Sequence, residues 1–228
     1  MAADTSATIA SLYRYPVKGL SAEPLSSIAL APGKCIPHDR RFAIALPSTV
    51  FDPQRPEWLN KTHFIMLMRD EALARYHTRF DPANDTLTVA QAGETLLREC
   101  MTEPRGARRI ADFFAGALSG RVEGPLRVIE APGLAFADAR PKKNATTDQY
   151  VSLINLASVR ALEEVIGAPV DPIRFRANLY FEGPPAWAEH EWLERHITIA
   201  ATRLRVIATI TRCAATEVNR PPPRATSM

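Results

Sequence analysis

Cysteine is scarce and scattered in this chain: Cys35, Cys100 and Cys213 are the only three in 228 residues. No Cys-x-x-Cys pair occurs, which excludes a zinc ribbon and a thioredoxin-type motif. No cysteine cluster is present to hold an iron–sulfur centre. The odd number and wide spacing argue against a disulfide framework and fit a reducing cytoplasm. Long apolar runs are missing too. None approaches the roughly 18 residues of a transmembrane helix, so no membrane span is expected. The start, Met1-Ala2-Ala3-Asp4-Thr5-Ser6, lacks the basic and apolar regions of a secretory signal. Charge of one sign is also in short supply, and a net charge of +3 is too small to argue for a nucleic-acid partner. Gly-x-Gly-x-x-Gly, a Walker loop, His-Glu-x-x-His and Gly-x-Ser-x-Gly are all absent, which removes the nucleotide-binding, zinc-protease and esterase signatures.

What is there reads as an ordinary globular chain, 46% hydrophobic and 23% charged, long enough for one large or two small domains. Short strand-like segments dominate. Thr8–Tyr15 alternates apolar and polar side chains and stops at Pro16. Ser27–Leu30, Arg41–Leu46 and Phe64–Met68 follow. Leu73–Phe80 and Thr86–Ala90 flank Asp81-Pro82-Ala83-Asn84-Asp85 as a hairpin, and Glu94–Arg98 adds a further strand. A helix is expected from Thr102 as cap through Pro104 to Gly120, with Ile110, Phe113, Phe114 and Leu118 on one stripe. Pro125–Glu130 reads as a strand and residues 131–148 as a long loop. Val151–Ile154 leads to Asn155 as a cap. The helix Leu156–Ile166 turns Val159, Leu162, Val165 and Ile166 inward and closes at Gly167. Phe175–Glu182, His196–Ala200 and Arg203–Thr209 read as strands, with about one helical turn at Trp187–Leu193. This pattern predicts a β-rich α+β fold with barrel or curled-sheet character.

Three constellations can carry chemistry. Cys213 follows Arg212 at the end of an apolar run, and a neighbouring guanidinium favours the thiolate that binds soft metals. A buried strand-end cysteine is the commoner arrangement on local chemistry alone. On an extended strand Arg174, Arg176 and Asn178 share one face, suited to a phosphate or carboxylated ring system, while Phe175, Ala177 and Leu179 face the core. A solvated strand face accounts for the same pattern equally well. Lys18, just past a strand end, and Arg40, just before one, can each reach an anion, although single basic residues at turns are common. Glu189, His190 and Glu191 look like a metal cluster on paper, but adjacent residues do not share a face.

Taken in order, these pieces resemble a known family. Tyr15-Pro16-Val17-Lys18 followed by Asp39-Arg40-Arg41-Phe42 resembles the β-barrel domain that precedes MOSC (molybdenum cofactor sulfurase C-terminal) domains. Phe175-Arg176-Ala177-Asn178, Ala188-Glu189-His190-Glu191-Trp192 and Arg212-Cys213 with Thr216-Glu217-Val218 resemble the MOSC domain itself. The resemblance implies an N-terminal barrel domain at 6–128, a MOSC domain at 129–219, and an atypical Pro/Arg tail at 220–228.

The resemblance further implies a molybdenum cofactor (molybdopterin) ligated through Cys213, with Lys18, Arg40, Arg174, Arg176, Asn178 and Arg212 around it. The family is also described as binding pyridoxal phosphate. Members similar to the mitochondrial amidoxime reducing component reduce N-hydroxylated or N-oxide substrates, with electrons from a separate flavin, haem or iron–sulfur protein. Gly19 stands where the family usually has Ser, His190 replaces a usual Asp, and Ala200 replaces a usual turn Gly. The family continues well beyond its cysteine, whereas fifteen residues follow Cys213 here. A MOSC barrel truncated at its C-terminal side is therefore expected. The alternatives to a molybdenum oxidoreductase are a sulfur- or cofactor-carrying module without turnover and an inactive truncated product.

Overall fold

The computed structural model describes residues 6–131, 133–138 and 150–218. Most of the loop expected at 131–148, and the tail at 220–228, lie outside the described residues. The fold is β-rich, with eleven strands and two α-helices among those described. Strand β1 (Thr8–Arg14) pairs antiparallel with β2 (Glu23–Leu25) on one side and with β9 (Leu179–Glu182) on the other. Strand β8 (Leu153–Asn155) runs parallel to β9. This four-stranded sheet therefore joins chain segments from both sides of residue 128. Strand β3 (Phe42–Ala45) pairs with β7 (Arg127–Glu130), β4 (His77–Asp81), β5 (Thr86–Gln91) and β6 (Glu94–Cys100) form a meander, and β10 (His196–Ile199) and β11 (Thr202–Arg205) form a hairpin. Among the described residues no sheet closes on itself. No helix there is long and apolar enough to cross a membrane.

The core follows from side-chain alternation. All four residues of β3 are buried, so both its faces are dry. Phe42 and Ile44 enter a large cluster with Leu73, Phe80, Leu87, Val89, Ile110 and Phe114, while Ala43 and Ala45 enter a smaller one with Phe64, Ile129 and Phe136. Each fully buried Leu, Ile or Phe contributes about 1.5–3 kcal/mol relative to exposure. Helix α1 (Pro104–Ala117) supplies Ile110 and Phe114 to the large cluster, with Pro104 in its first turn. It approaches β6 so closely at Gly106 that an added Cβ would lie 2.1 Å from the Cys100 carbonyl oxygen. Its N-cap is Glu103, not Thr102, whose hydroxyl instead lies 3.3 Å from Cys100 Sγ.

Several sequence expectations are corrected. Ser27–Leu30 forms no strand; β2 lies earlier, where the Glu23 carboxylate accepts from Arg14 Nε at 2.9 Å and from the Phe80 amide. Phe64–Met68 makes one bridge, from Phe64 to Ala45, and then turns. The turn is locked because Asp70 Oδ2 accepts from the Met66 amide at 3.1 Å while Met66 O accepts from the Asp70 amide at 2.8 Å. A 3-10 turn at Glu71–Arg75 replaces the first half of the expected Leu73–Phe80 strand. The last strand ends at Arg205, short of Thr209. Helix α2 (Leu156–Ile166) has the expected bounds, with Asn155 accepting from the Ala157 amide and Gly167 left-handed at φ 72°. Its inward face is shorter than expected. Val159 is buried, but Val165 is 84% and Ile166 56% exposed, because only the first turns rest on β8 and β9.

Candidate functional site

The site begins where Pro16 ends β1. Val17 bridges to Phe42 and the Lys18 amide donates to Phe42 O at 2.8 Å, so the turn is tied to β3. Gly19 continues it at φ 81°, a left-handed conformation in which a Ser side chain would be strained. Lys18 is thereby carried inside. Its Nζ donates to Phe136 O at 2.9 Å and pairs with Asp138. Burial holds the Lys18 pKa below its ordinary value, with Asp138 pulling the other way. Burial pushes the Asp138 carboxyl up, but the Lys18 ammonium outweighs it and leaves that pKa lowered.

Asp39 and Arg40 arrive from the other side of the same turn. Asp39 is buried; its Oδ1 accepts from the Tyr15 amide at 2.7 Å and its Oδ2 pairs with the Arg40 guanidinium. The Arg40 amide donates to Tyr15 O at 2.7 Å and its Nη2 to Arg176 O at 3.0 Å. Burial disfavours the Arg40 cation, but Asp39 more than offsets this, so its pKa is raised.

The third segment corrects the expectation of a strand from Phe175. Pro172–Phe175 is a 3-10 turn capped by Asp171, which accepts from the Ile173 amide at 3.0 Å. Arg176 is then left-handed at φ 51°, and β9 starts only at Leu179. Arg174, Arg176 and Asn178 are therefore not one face of a strand, although all three line one cavity. Arg176 Nη1 donates to Leu20 O at 2.8 Å, and burial lowers the Arg176 pKa. Arg174 Nε is buried with no hydrogen-bond partner among the described residues. Of the expected core side chains, Ala177 and Leu179 are buried and Phe175 is half-buried.

Asn178 is a clamp between segments. Its Oδ1 accepts from Ser152 N at 3.3 Å and Ser152 Oγ at 3.0 Å, and its Nδ2 donates to Tyr13 O at 3.1 Å. Arg212 and Cys213 come last, before a 3-10 turn at Ala214–Glu217. The Cys213 carbonyl accepts from the Thr216 amide and hydroxyl, both at 3.1 Å. Burial lowers the Arg212 pKa.

Lys18, Arg40, Arg174, Arg176, Asn178, Arg212 and Cys213 all line this single cavity. Lys61 adds a sixth cation, against the two carboxylates of Asp39 and Asp138, so the lining is strongly positive. A soft thiol beside such a surplus of donors fits a group that combines a thiophilic metal with anionic oxygens. The lone buried Arg174 Nε is a donor that such an oxygen would satisfy.

Sequence reasoning missed several lining residues. Cys35 and Trp58 carry no local signal. Asp138 follows no motif, and its pairing with Lys18 spans 120 positions. Asp39, which lines the cavity, and Tyr15, fully buried and in contact with Arg40 and Arg176, sat inside the motifs without a role assigned. The Glu189-His190-Glu191 run holds no metal cluster; among the described residues no group of three such ligands exists. Glu189 is instead a structural acceptor, receiving Ser158 Oγ at 2.7 Å and Asn155 Nδ2 at 3.0 Å. Ala200 is left-handed at φ 51°, the conformation that favours glycine.

Family models match along most of the chain: the MOSC N-terminal beta barrel domain at residues 6–126 and the MOSC domain at residues 136–227. No curated protein matches it at a significant level. MOSC domains are associated with molybdenum cofactor binding. With the first match covering more than half of its length and the second following directly behind, the chain belongs to the MOSC family, in the form that carries an N-terminal MOSC beta barrel domain.

Proposed function

We propose that this protein is a molybdenum-cofactor-binding oxidoreductase, similar to the mitochondrial amidoxime reducing component, that reduces small N-hydroxylated substrates with electrons from a separate protein partner. The N-terminal barrel domain is taken as residues 6–128 and the MOSC domain as 129–219. One observation carries the reading: six basic side chains from five stretches of the chain, with Cys213, converge on one cavity whose cations outnumber its carboxylates.

Cys213 would hold the metal as thiolate, the soft ligand of the set. Arg40, Arg174, Arg176 and Arg212 would bind the anionic oxygens of the cofactor, their planar forks suiting phosphate. Lys18 would add a point charge from beneath, and Asn178 would keep Ser152 and β1 in register behind them. The cofactor, when bound, supplies two-electron oxygen-atom chemistry. Overall, N–OH takes two electrons and two protons to give N–H and water, the electrons coming from a flavin, haem or iron–sulfur protein. The chain's own residues bind and orient; none of them needs to change oxidation state.

The test is metal analysis with pterin fluorescence on protein produced with cofactor in excess. Wild type is expected to hold molybdenum and Cys213→Ala to lose it. The thermal midpoint should move by no more than about 2 °C, since Cys213 is only half-buried and such sites contribute about 0.5 kcal/mol. Molybdenum-free wild type refutes the reading. A labile extra sulfur on Cys213 with no pterin would instead identify a sulfur-carrying module.

A further inference from the structure

Tyr15 is the most enclosed side chain of the site, fully buried, yet nothing in its motif says why an aromatic ring stands there. The Arg40 and Arg176 guanidinium carbons lie over this one ring, 4.7 Å and 4.4 Å from its centroid. The ring itself is fixed at three points. Its hydroxyl donates to Ala177 O at 3.0 Å, its amide donates to Asp39 Oδ1 at 2.7 Å, and its carbonyl accepts from the Arg40 amide at 2.7 Å. Both arginines are left-handed, at φ 50° and 51°, a conformation that non-glycine residues keep only where their surroundings enforce it.

Two guanidiniums this close repel, and burial strengthens the repulsion. Asp39 pairs with Arg40, whereas Arg176 forms no salt bridge among the described residues. Burial keeps the Tyr15 phenol protonated despite the two arginines, so it supplies no counter-charge. Carbonyl oxygens accept from both groups, Leu20 O from Arg176 Nη1 and Arg176 O from Arg40 Nη2, and the electron-rich ring attracts both cations; neither carbonyl nor ring neutralises them. The pair therefore stays held together and short of one anion.

We propose that Tyr15 is a positioning residue: its aromatic ring, in contact with both the Arg40 and the Arg176 guanidinium, holds the two as one pre-arranged receptor for a phosphate-type group. This rests on the molybdenum-cofactor reading for the identity of the natural ligand, but its test does not need that ligand.

The full chain is produced in a host that makes no molybdenum cofactor, and inorganic phosphate binding is followed by calorimetry. Wild type is compared with Tyr15→Phe and with chains carrying mono-, di- and trifluorinated phenylalanine at position 15. Ring size hardly changes across the series while electron density on its face falls. Tyr15→Phe is expected to bind within about threefold of wild type, and affinity should then fall stepwise to a loss of about tenfold, with thermal midpoints level from Tyr15→Phe through the fluorinated phenylalanines. If Tyr15→Phe unfolds for want of its bond to Ala177, monofluorinated tyrosine keeps the hydroxyl and, read at a pH where its phenol stays protonated, is expected to weaken phosphate binding in the same direction. A flat series overturns the inference while leaving the molybdenum reading to its metal analysis. Wild type that takes up no phosphate overturns it as well, and metal retention then decides the other reading separately.

Discussion

Replacing Asn178 by Ala separates two roles that the cavity lining alone leaves merged. Asn178 is 2% exposed, and its amide joins three groups on two segments, Ser152 N, Ser152 Oγ and Tyr13 O. Deleting it leaves the Tyr13 carbonyl and the Ser152 donors, all part-buried, without those partners. An orphaned buried polar group costs about 1–3 kcal/mol, so the loss should total about 3 kcal/mol. For a chain of this size about 3 kcal/mol lowers the thermal midpoint by roughly 6–12 °C. The assay is thermal unfolding of Asn178→Ala against wild type, followed by circular dichroism and by calorimetry to check that unfolding stays two-state. Asn178→Ala that melts within about 2 °C of wild type refutes the clamp, since about 0.5 kcal/mol is what an uninvolved site contributes. Loss of molybdenum without loss of stability would make Asn178 a ligand-binding group instead.

Other consequences are as direct. Lys18 has its pKa lowered by burial, so between its folded value and the ordinary 10.5 the unfolded chain binds more protons and stability gained through this group rises with pH. Urea titrations from neutral pH towards 10.5 should show wild type gaining on Lys18→Met, a comparison that removes the opposing titration of buried Tyr15 and Tyr180, common to both chains; parallel curves would sink the argument. Val165 lies at 84% exposure on a helix face that its sequence marks as apolar. Val165→Lys is therefore expected to shift stability by no more than about 0.5 kcal/mol in chemical denaturation, whereas a core position would lose several times as much.

The strand and helix pattern was largely legible in the sequence because it is local. β1, β3, the β4–β5–β6 meander and both helices follow from side-chain periodicity and from turn residues that act on their immediate neighbours. The errors have two causes: a nearby polar side chain that closed a turn, and tertiary cover that ended before an apolar stripe did. Phe64–Met68 has the composition of a strand, but Asp70 closes it into a turn. Val165 and Ile166 continue the apolar stripe of α2 past the point where β8 and β9 can cover it.

The site was legible in a different sense. Cys213 and the basic residues stand out by type and order, and their order is what resembles the MOSC family. The chain by itself determined which chemistry is on hand: a soft thiol, an excess of guanidiniums, and no cluster of cysteines to carry electrons. Only the tertiary structure decided where that chemistry meets. Lys18 finds Asp138 across 120 positions, and the Tyr15 ring meets both Arg40 and Arg176. The physical reason is that charge and softness belong to single residues, whereas distance and burial belong to the packing of segments far apart in the chain, on which the local pattern carries no information.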